Sequence, residues 1–182
     1  MPVLGLGVWQ MAAGAETEQA VEWALEEGYR HIDTASMYRN EQSVGAALKH
    51  SGLPREQVFV TTKLMPARTS AKAELEKSLR RLGLDYVDLY LIHWPLPMLN
   101  ARMWRQLEWL QEAGLAKEIG VSNFGRERLA RLIRDAHISL LSIKCSSAPS
   151  STAGGCSTTA SSRASCSRPT ARSPEAKGFS IR

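Results

Sequence analysis

Tyr86-Val87-Asp88-Leu89-Tyr90-Leu91-Ile92-His93-Trp94-Pro95 is the stretch on which the reading of this chain turns. Its β-branched and aromatic residues suit a buried strand, and the proline ends it because proline has no N–H to give to a ladder. Side chains alternate across a strand, so Val87, Leu89, Leu91 and His93 share one face, apolar until a histidine arrives at its C-terminal end. A polar group in that place raises a functional question.

Three more polar residues close apolar runs at almost the same interval. Asp33 ends Tyr29-Arg30-His31-Ile32-Asp33, Lys63 ends Val58-Phe59-Val60-Thr61-Thr62-Lys63, and Ser122 ends Ile119-Gly120-Val121-Ser122. Lys63 lies 30 residues after Asp33, His93 30 after Lys63, and Ser122 29 after His93. A parallel eight-fold β/α barrel spends roughly 31 residues on each strand-helix unit and keeps its chemistry at the C-terminal strand ends. The spacing therefore predicts four polar groups on one rim.

The rest of the chain before residue 138 repeats the same grammar. Residues 2–9 read as a first strand containing Gly5 and Gly7. A helix over 17–27 comes next through Ala20, Val21, Ala24 and Leu25, with Glu16 and Glu18 near its start and Gly28 beyond its end. The spacing predicts further helices over 40–50, from Ser70 to Leu82 before Gly83, over 103–113 before Gly114, and over 126–135. A fifth strand is predicted over 115–122. Strands alternating with helices in this way argue for a parallel sheet with right-handed crossovers.

Charge and cysteine set this part of the chain apart from the remainder. The chain has 182 residues and a net charge of +5, but residues 139–182 hold six Lys or Arg against the single acid Glu175. Residues 1–138 are therefore neutral overall, and the basic balance is no sign of a nucleic-acid partner. Cys145, Cys156 and Cys166 all lie in the later part, an odd number without the spacing of a disulfide framework or a metal site. No apolar run approaches a membrane span, and the start lacks the features of a signal peptide, so a cytoplasmic location without membrane association is expected.

Residues 139–182 contain 13 serines and one aromatic, Phe179, with almost no apolar periodicity, so they cannot bury a core. We expect two regions: 1–138, a partial barrel, and 139–182, a low-complexity Ser/Arg-rich tail. A GC-rich coding sequence read out of frame would give such a composition, beginning where a sixth strand is due; a disordered tail is the plainer reading.

Five motifs, Gly5-Leu6-Gly7-Val8-Trp9, Gly28 to Tyr38 (GYRHIDTASMY), Thr62-Lys63, Leu91-Ile92-His93-Trp94-Pro95 and Gly120-Val121-Ser122-Asn123-Phe124, occur in order and at fitting spacing. Together they make the chain, over residues 2–135, resemble the aldo-keto reductase family. The resemblance implies a (β/α)8 TIM-barrel fold, here truncated to about five β/α units, and NADPH-dependent reduction of aldehydes and ketones. It also implies that Tyr38 donates the proton, Lys63 supports it with positive charge, Asp33 pairs with Lys63, and His93 orients the carbonyl oxygen. An ammonium beside a phenol favours phenolate, so Tyr38 is expected to have a pKa below the usual value of about 10.

By the same resemblance Ser122 and Asn123 hold the nicotinamide carboxamide, and Trp9 and Trp94 wall the carbonyl pocket; no metal is implied. Each residue also has an ordinary structural role: a cap or turn for Asp33, Ser122 and Asn123, and barrel packing for the tryptophans. Trp23, Trp104 and Trp109 read as helix residues packed in the core. The family's glutamine in the sixth strand, its segment gripping the adenosine 2′-phosphate, and the hairpin before its first strand find no counterpart here. Three readings result: a carbonyl reductase acting on a small molecule, a catalytically inactive fragment, and a nonenzymatic interaction protein. Exposed first and fifth strands are expected to favour self-association.

Overall fold

Residues 1–65, 70–96, 99–135 and 142–144 are described by the computed structural model, and all lie in one compact unit, Met1–Ala148. The order is β1 (Leu6–Gly7), α1 (Ala15–Glu26), β2 (His31–Asp33), α2 (Glu41–His50), β3 (Phe59–Leu64), α3 (Ala71–Leu82), β4 (Val87–Ile92), α4 (Asn100–Glu112), β5 (Ala116–Ser122), α5 (Arg126–Asp135) and β6 (Ser142–Lys144). Single turns of 3-10 helix, Ser36–Tyr38 and Arg55–Gln57, come after β2 and before β3. The strands form one parallel sheet in sequence order, β1 to β6, with a helix between each successive pair.

Strand register decides where the polar strand ends point. Asp33 pairs with Thr61 and Thr61 with Leu89; Lys63 pairs with Leu91 and Leu91 with Gly120. Paired residues share a face, and so do residues two apart on a strand. Asp33, Lys63, His93 and Ser122 thus all belong to one face of the sheet. Lys63 lies two residues beyond Thr61, the partner of Asp33, and His93 two beyond Leu91, the partner of Lys63, so these polar ends step along the rim.

The opposite face is mainly apolar, the buried Thr62 and Asp88 excepted, and carries the helices. Ile32, Val60, Leu64, Tyr90, Ile92, Ile119 and Val121 join Val21, Leu25, Val44, Leu75, Leu79, Leu107 and Leu110 in one buried cluster. At about 25 cal/mol per Å² of apolar surface, this burial is the main term holding the sheet to its helices. Helix α3 shows how the local sequence sets the boundaries. Leu75, Leu79 and Leu82 recur at helical spacing, and Gly83 stops the helix in the left-handed region at φ 66°.

Helices α2 and α3 meet at Gly45, where an added Cβ would collide with the carbonyl oxygen of Leu82. Backbone cannot yield as a flexible side chain can. Gly45→Ala is expected to destabilise the chain by about 1–3 kcal/mol as this contact is overpacked. Urea unfolding measures it, and an unchanged midpoint would mean that the two helices separate without cost.

Asp88 is another buried polar group on the central strand. Its carboxylate accepts from the backbone N–H of Val60 at 2.9 Å and pairs with Arg55 at 2.6 Å and Lys117 at 3.4 Å. Arg55 and Lys117 also lie over the Tyr86 ring, 4.2 and 4.1 Å from its centre. This cluster ties β3, β4 and β5 together at the end remote from the polar rim. Such a location favours a stabilising role.

The structure differs from the sequence reading at several points. β1 is two residues long rather than eight, and Val3 and Leu4 are exposed. Helix α4 starts at Asn100, three residues early, because the Asn100 side chain accepts from the Leu96 N–H at 2.9 Å and closes the preceding turn. A sixth strand, Ser142–Lys144, pairs parallel to β5 through Gly120, Val121 and Ser122. The described sheet edges are therefore β1 and β6, and β5 is interior. Trp104 is 1% exposed as expected, whereas Trp23 and Trp109 are 58% and 47% exposed; Lys72 covers the Trp109 ring from 5.0 Å. Residues 145–182, which hold the three cysteines and most of the serine-rich segment, lie outside the described residues.

Candidate active site

Asp33 leaves β2 with its carboxylate on the face opposite the helices, and the chain then makes the 3-10 turn Ser36–Tyr38. This turn answers how a tyrosine five residues beyond a strand end returns to the rim. Tyr38 N donates to Ala35 O at 2.9 Å, and the Ser36 hydroxyl donates to Lys63 O at 3.0 Å, fastening the turn to β3. Arg39 at φ 60° reverses the chain into α2.

Lys63 is the centre of the cluster. Its side chain is 2% exposed, and its three N–H directions have three acceptors: Asp33 Oδ1 at 2.6 Å, the Thr34 carbonyl at 2.8 Å and Tyr38 Oη at 3.4 Å. Burying an ammonium costs several kcal/mol unless it is paired and hydrogen-bonded, and here it is both. The Tyr38 ring also meets the His93 ring edge-on, with centroids 5.6 Å apart and planes at 77°. His93 is 4% exposed, its backbone N–H held by Leu64 O at 3.0 Å. Asp33, Tyr38, Lys63 and His93 are thereby brought together.

Tyr38 itself ionises in the direction opposite to expectation. Burial, and then the Asp33 carboxylate, push its phenol up to about 12. Burial is the larger cause, and the geometry lets the carboxylate add to it: Asp33 takes the Lys63 ammonium at 2.6 Å, whereas Tyr38 is at 3.4 Å. Tyr38 is consequently held as a neutral phenol that keeps its proton until a stronger base takes it.

Ser122 and Asn123 close β5 next to this group. Asn123, at φ 62°, donates through Nδ2 to His93 O at 2.9 Å and to Ser122 Oγ at 3.2 Å. Having used its amide N–H groups, Asn123 offers a ligand the acceptor Oδ1, while Ser122 offers a hydroxyl proton. One acceptor beside one donor is the complement of a primary carboxamide, so the pair fits the nicotinamide group. Trp94 stacks on His93 with centroids 5.9 Å apart and is 47% exposed; Trp9 is 63% exposed. Trp94 follows His93 in sequence and Trp9 lies just beyond β1, and both rings remain largely open to water.

Among the described residues no group of three or more His, Cys, Asp or Glu side chains could hold a metal ion, and no helix is long and apolar enough to cross a membrane. A model of the aldo/keto reductase family matches residues 3–154. The chain belongs to the aldo/keto reductase family. Within it, the methylglyoxal reductase DkgA of Yersinia pestis is 52% identical over 141 residues, 76% of this chain and 50% of that protein. The crystal structure of the Brucella melitensis aldo/keto reductase superposes with a TM-score of 0.74 at 45% identity, covering 80% of this chain and 58% of that one.

The Bombyx mori aldo-keto reductase solved in complex with NADP gives 0.73 at 36% identity, over 80% and 54%. The fold class is accordingly the reductase β/α barrel type, and the chain spans about half the length of the curated relatives it matches. The family match extends beyond the 2–135 of the motif reading, in keeping with the sixth strand.

Three contributors escaped the sequence reading. Thr34 acts through its carbonyl, Ser36 through its bond to Lys63 O, and Asn40 through its side chain. All lie within eight residues after Asp33. A run of short polar residues after a strand end was the available signal, but helix caps and turns leave the same mark.

Proposed function

We propose that the chain is an NADPH-dependent oxidoreductase that reduces the carbonyl of a small aldehyde or ketone to an alcohol, with methylglyoxal as a representative substrate. The supporting observation is the convergence of Asp33, Tyr38, Lys63 and His93, with Lys63 bonded to both Asp33 and Tyr38. The names of relatives such as DkgA support the substrate class, and the NADP complex of the Bombyx mori protein supports the cofactor.

Reduced nicotinamide, when bound, supplies the hydride. Ser122 and Asn123 hold its carboxamide, and a His93 ring nitrogen donates to the carbonyl oxygen and aims it at Tyr38. As negative charge builds on that oxygen, Tyr38 gives up its proton. An alkoxide is a stronger base than a phenolate, so transfer runs downhill even from a phenol near 12. Lys63 then stabilises the phenolate it touches, and Asp33 keeps Lys63 in place. Such a built proton path counts against a purely nonenzymatic role. The test is consumption of NADPH by the purified chain with and without methylglyoxal. Substrate-dependent oxidation with formation of the alcohol is expected; cofactor oxidation indifferent to the carbonyl would overturn the proposal.

A further inference from the structure

Asn40 stands at the N-cap of α2, where an asparagine side chain ordinarily accepts a backbone N–H from the first helical turn. It makes no such bond. Its side chain instead turns back toward the rim and is wholly buried. Oδ1 accepts from the Thr34 hydroxyl at 3.0 Å, while Nδ2 donates to Val8 O at 2.9 Å and to Met11 O at 3.3 Å. A residue that gives up its usual helix-capping bond to join two other segments is serving those segments.

Both segments belong to the site. Val8 and Met11 bracket Trp9, and Val8 N donates to Asp33 O at 3.0 Å. Thr34 supplies the carbonyl that takes one N–H of Lys63 at 2.8 Å, and its own N–H is held by Thr61 O at 2.9 Å. The side chain of Asn40 thus fixes the residue whose backbone orients the ammonium. One amide closes a circuit from β1 through β2 to Lys63 on β3.

We propose that Asn40 is a positioning residue: it locks the Trp9-bearing loop and the Thr34 carbonyl together, and through Thr34 sets the direction in which Lys63 meets Tyr38. The functional half of this inference rests on the carbonyl-reductase reading; the coupling itself does not. Neither a carboxylate nor a methyl group can replace the amide. An aspartate in its place would be unable to donate to Val8 O, and alanine would leave Val8 O with only the 3.3 Å bond from Met11 N and take from the buried Thr34 hydroxyl the acceptor it uses here.

The test compares the full chain with Asn40→Ala, Asn40→Asp and Thr34→Val, the last keeping volume and removing only the hydroxyl. An amine-reactive reagent is applied, and modification of each lysine is followed by mass spectrometry. Lys63 should react at least about tenfold faster in all three variants, while the exposed Lys72 and Lys77 react as before. Turnover of methylglyoxal with NADPH is measured in parallel. There kcat should fall about tenfold to a hundredfold, the scale of a misplaced catalytic group, with KM changed by less than about threefold. Any variant that fails to fold is replaced in the comparison by the other two. Unchanged Lys63 reactivity in the folded variants overturns the coupling, whatever the turnover. Faster Lys63 reaction with unchanged kcat overturns the positioning role. A wild-type chain without carbonyl turnover overturns the reductase reading alone, and Lys63 reactivity still decides whether Asn40 holds the ammonium.

Discussion

Tyr38→Phe is expected to lower carbonyl reduction by about a hundredfold to ten-thousandfold, the range associated with loss of a positioned general acid. Only the hydroxyl is removed. The ring remains to pack edge-on against His93, with its face 4.9 Å from the Lys63 ammonium, so the local architecture has little cause to change. Cofactor affinity should therefore be kept, because Ser122 and Asn123 owe their placement to β5 and to the His93 carbonyl. Steady-state turnover together with a fluorescence titration of NADPH separates the two effects. A Tyr38→Phe chain within about threefold of the parent in kcat would remove Tyr38 from the mechanism.

Asp33→Asn should act on stability and on ionisation at once. The Lys63 side chain is 2% exposed and its bond to Asp33 is 2.6 Å, so the substitution leaves a desolvated ammonium without its counter-charge. Breaking a buried pair in this way costs about 3–5 kcal/mol, a large part of a stability of about 5–15 kcal/mol. The sign for Tyr38 is also fixed. The carboxylate raises the phenol toward 12 by opposing phenolate, so its removal lowers that value and leaves Lys63 to favour ionisation unopposed. Any loss of activity at alkaline pH that reports Tyr38 should begin at lower pH in the variant. Denaturant unfolding and a kcat profile measure the two effects. A stability change under about 1 kcal/mol, with an unmoved alkaline limb, would show that the pair does not govern the site.

The rim was legible because it depends on strand period and unit length alone. Asp33, Lys63 and His93 recur at a near-constant step, and residues two apart on a strand keep one face, so their common orientation comes from counting. Tyr38 was legible only through the motif that contains it, since no periodicity announces the 3-10 turn Ser36–Tyr38. Its ionisation departs from the sequence expectation for a physical reason. The sequence indicates which charges are present, but the direction of a shift depends on a contest between 2.6 Å and 3.4 Å and on burial.

Other features were hidden by similar ambiguities. The apolar alternation of Ser142–Lys144 is too short to mark a strand, and β6 is defined by its pairing with β5. Trp23 and Trp109 are large and apolar, which suggests a core place, yet each stands on the outer side of its helix. Asp88 lies in the central stretch itself, and nothing local to it indicates that Arg55 and Lys117 reach it from other strands and turns.

If Tyr38 completes a hydride transfer by delivering its proton, isotopic labelling will reveal both halves of the step. The purified chain and Tyr38→Phe are each supplied with methylglyoxal and NADPH carrying deuterium at the transferable position of the nicotinamide, and the alcohol is analysed by mass spectrometry. One deuterium on the former carbonyl carbon is expected with the parent chain, and almost no labelled alcohol with the variant. Unlabelled alcohol from the parent chain, or labelled alcohol formed equally fast by Tyr38→Phe, would refute this mechanism.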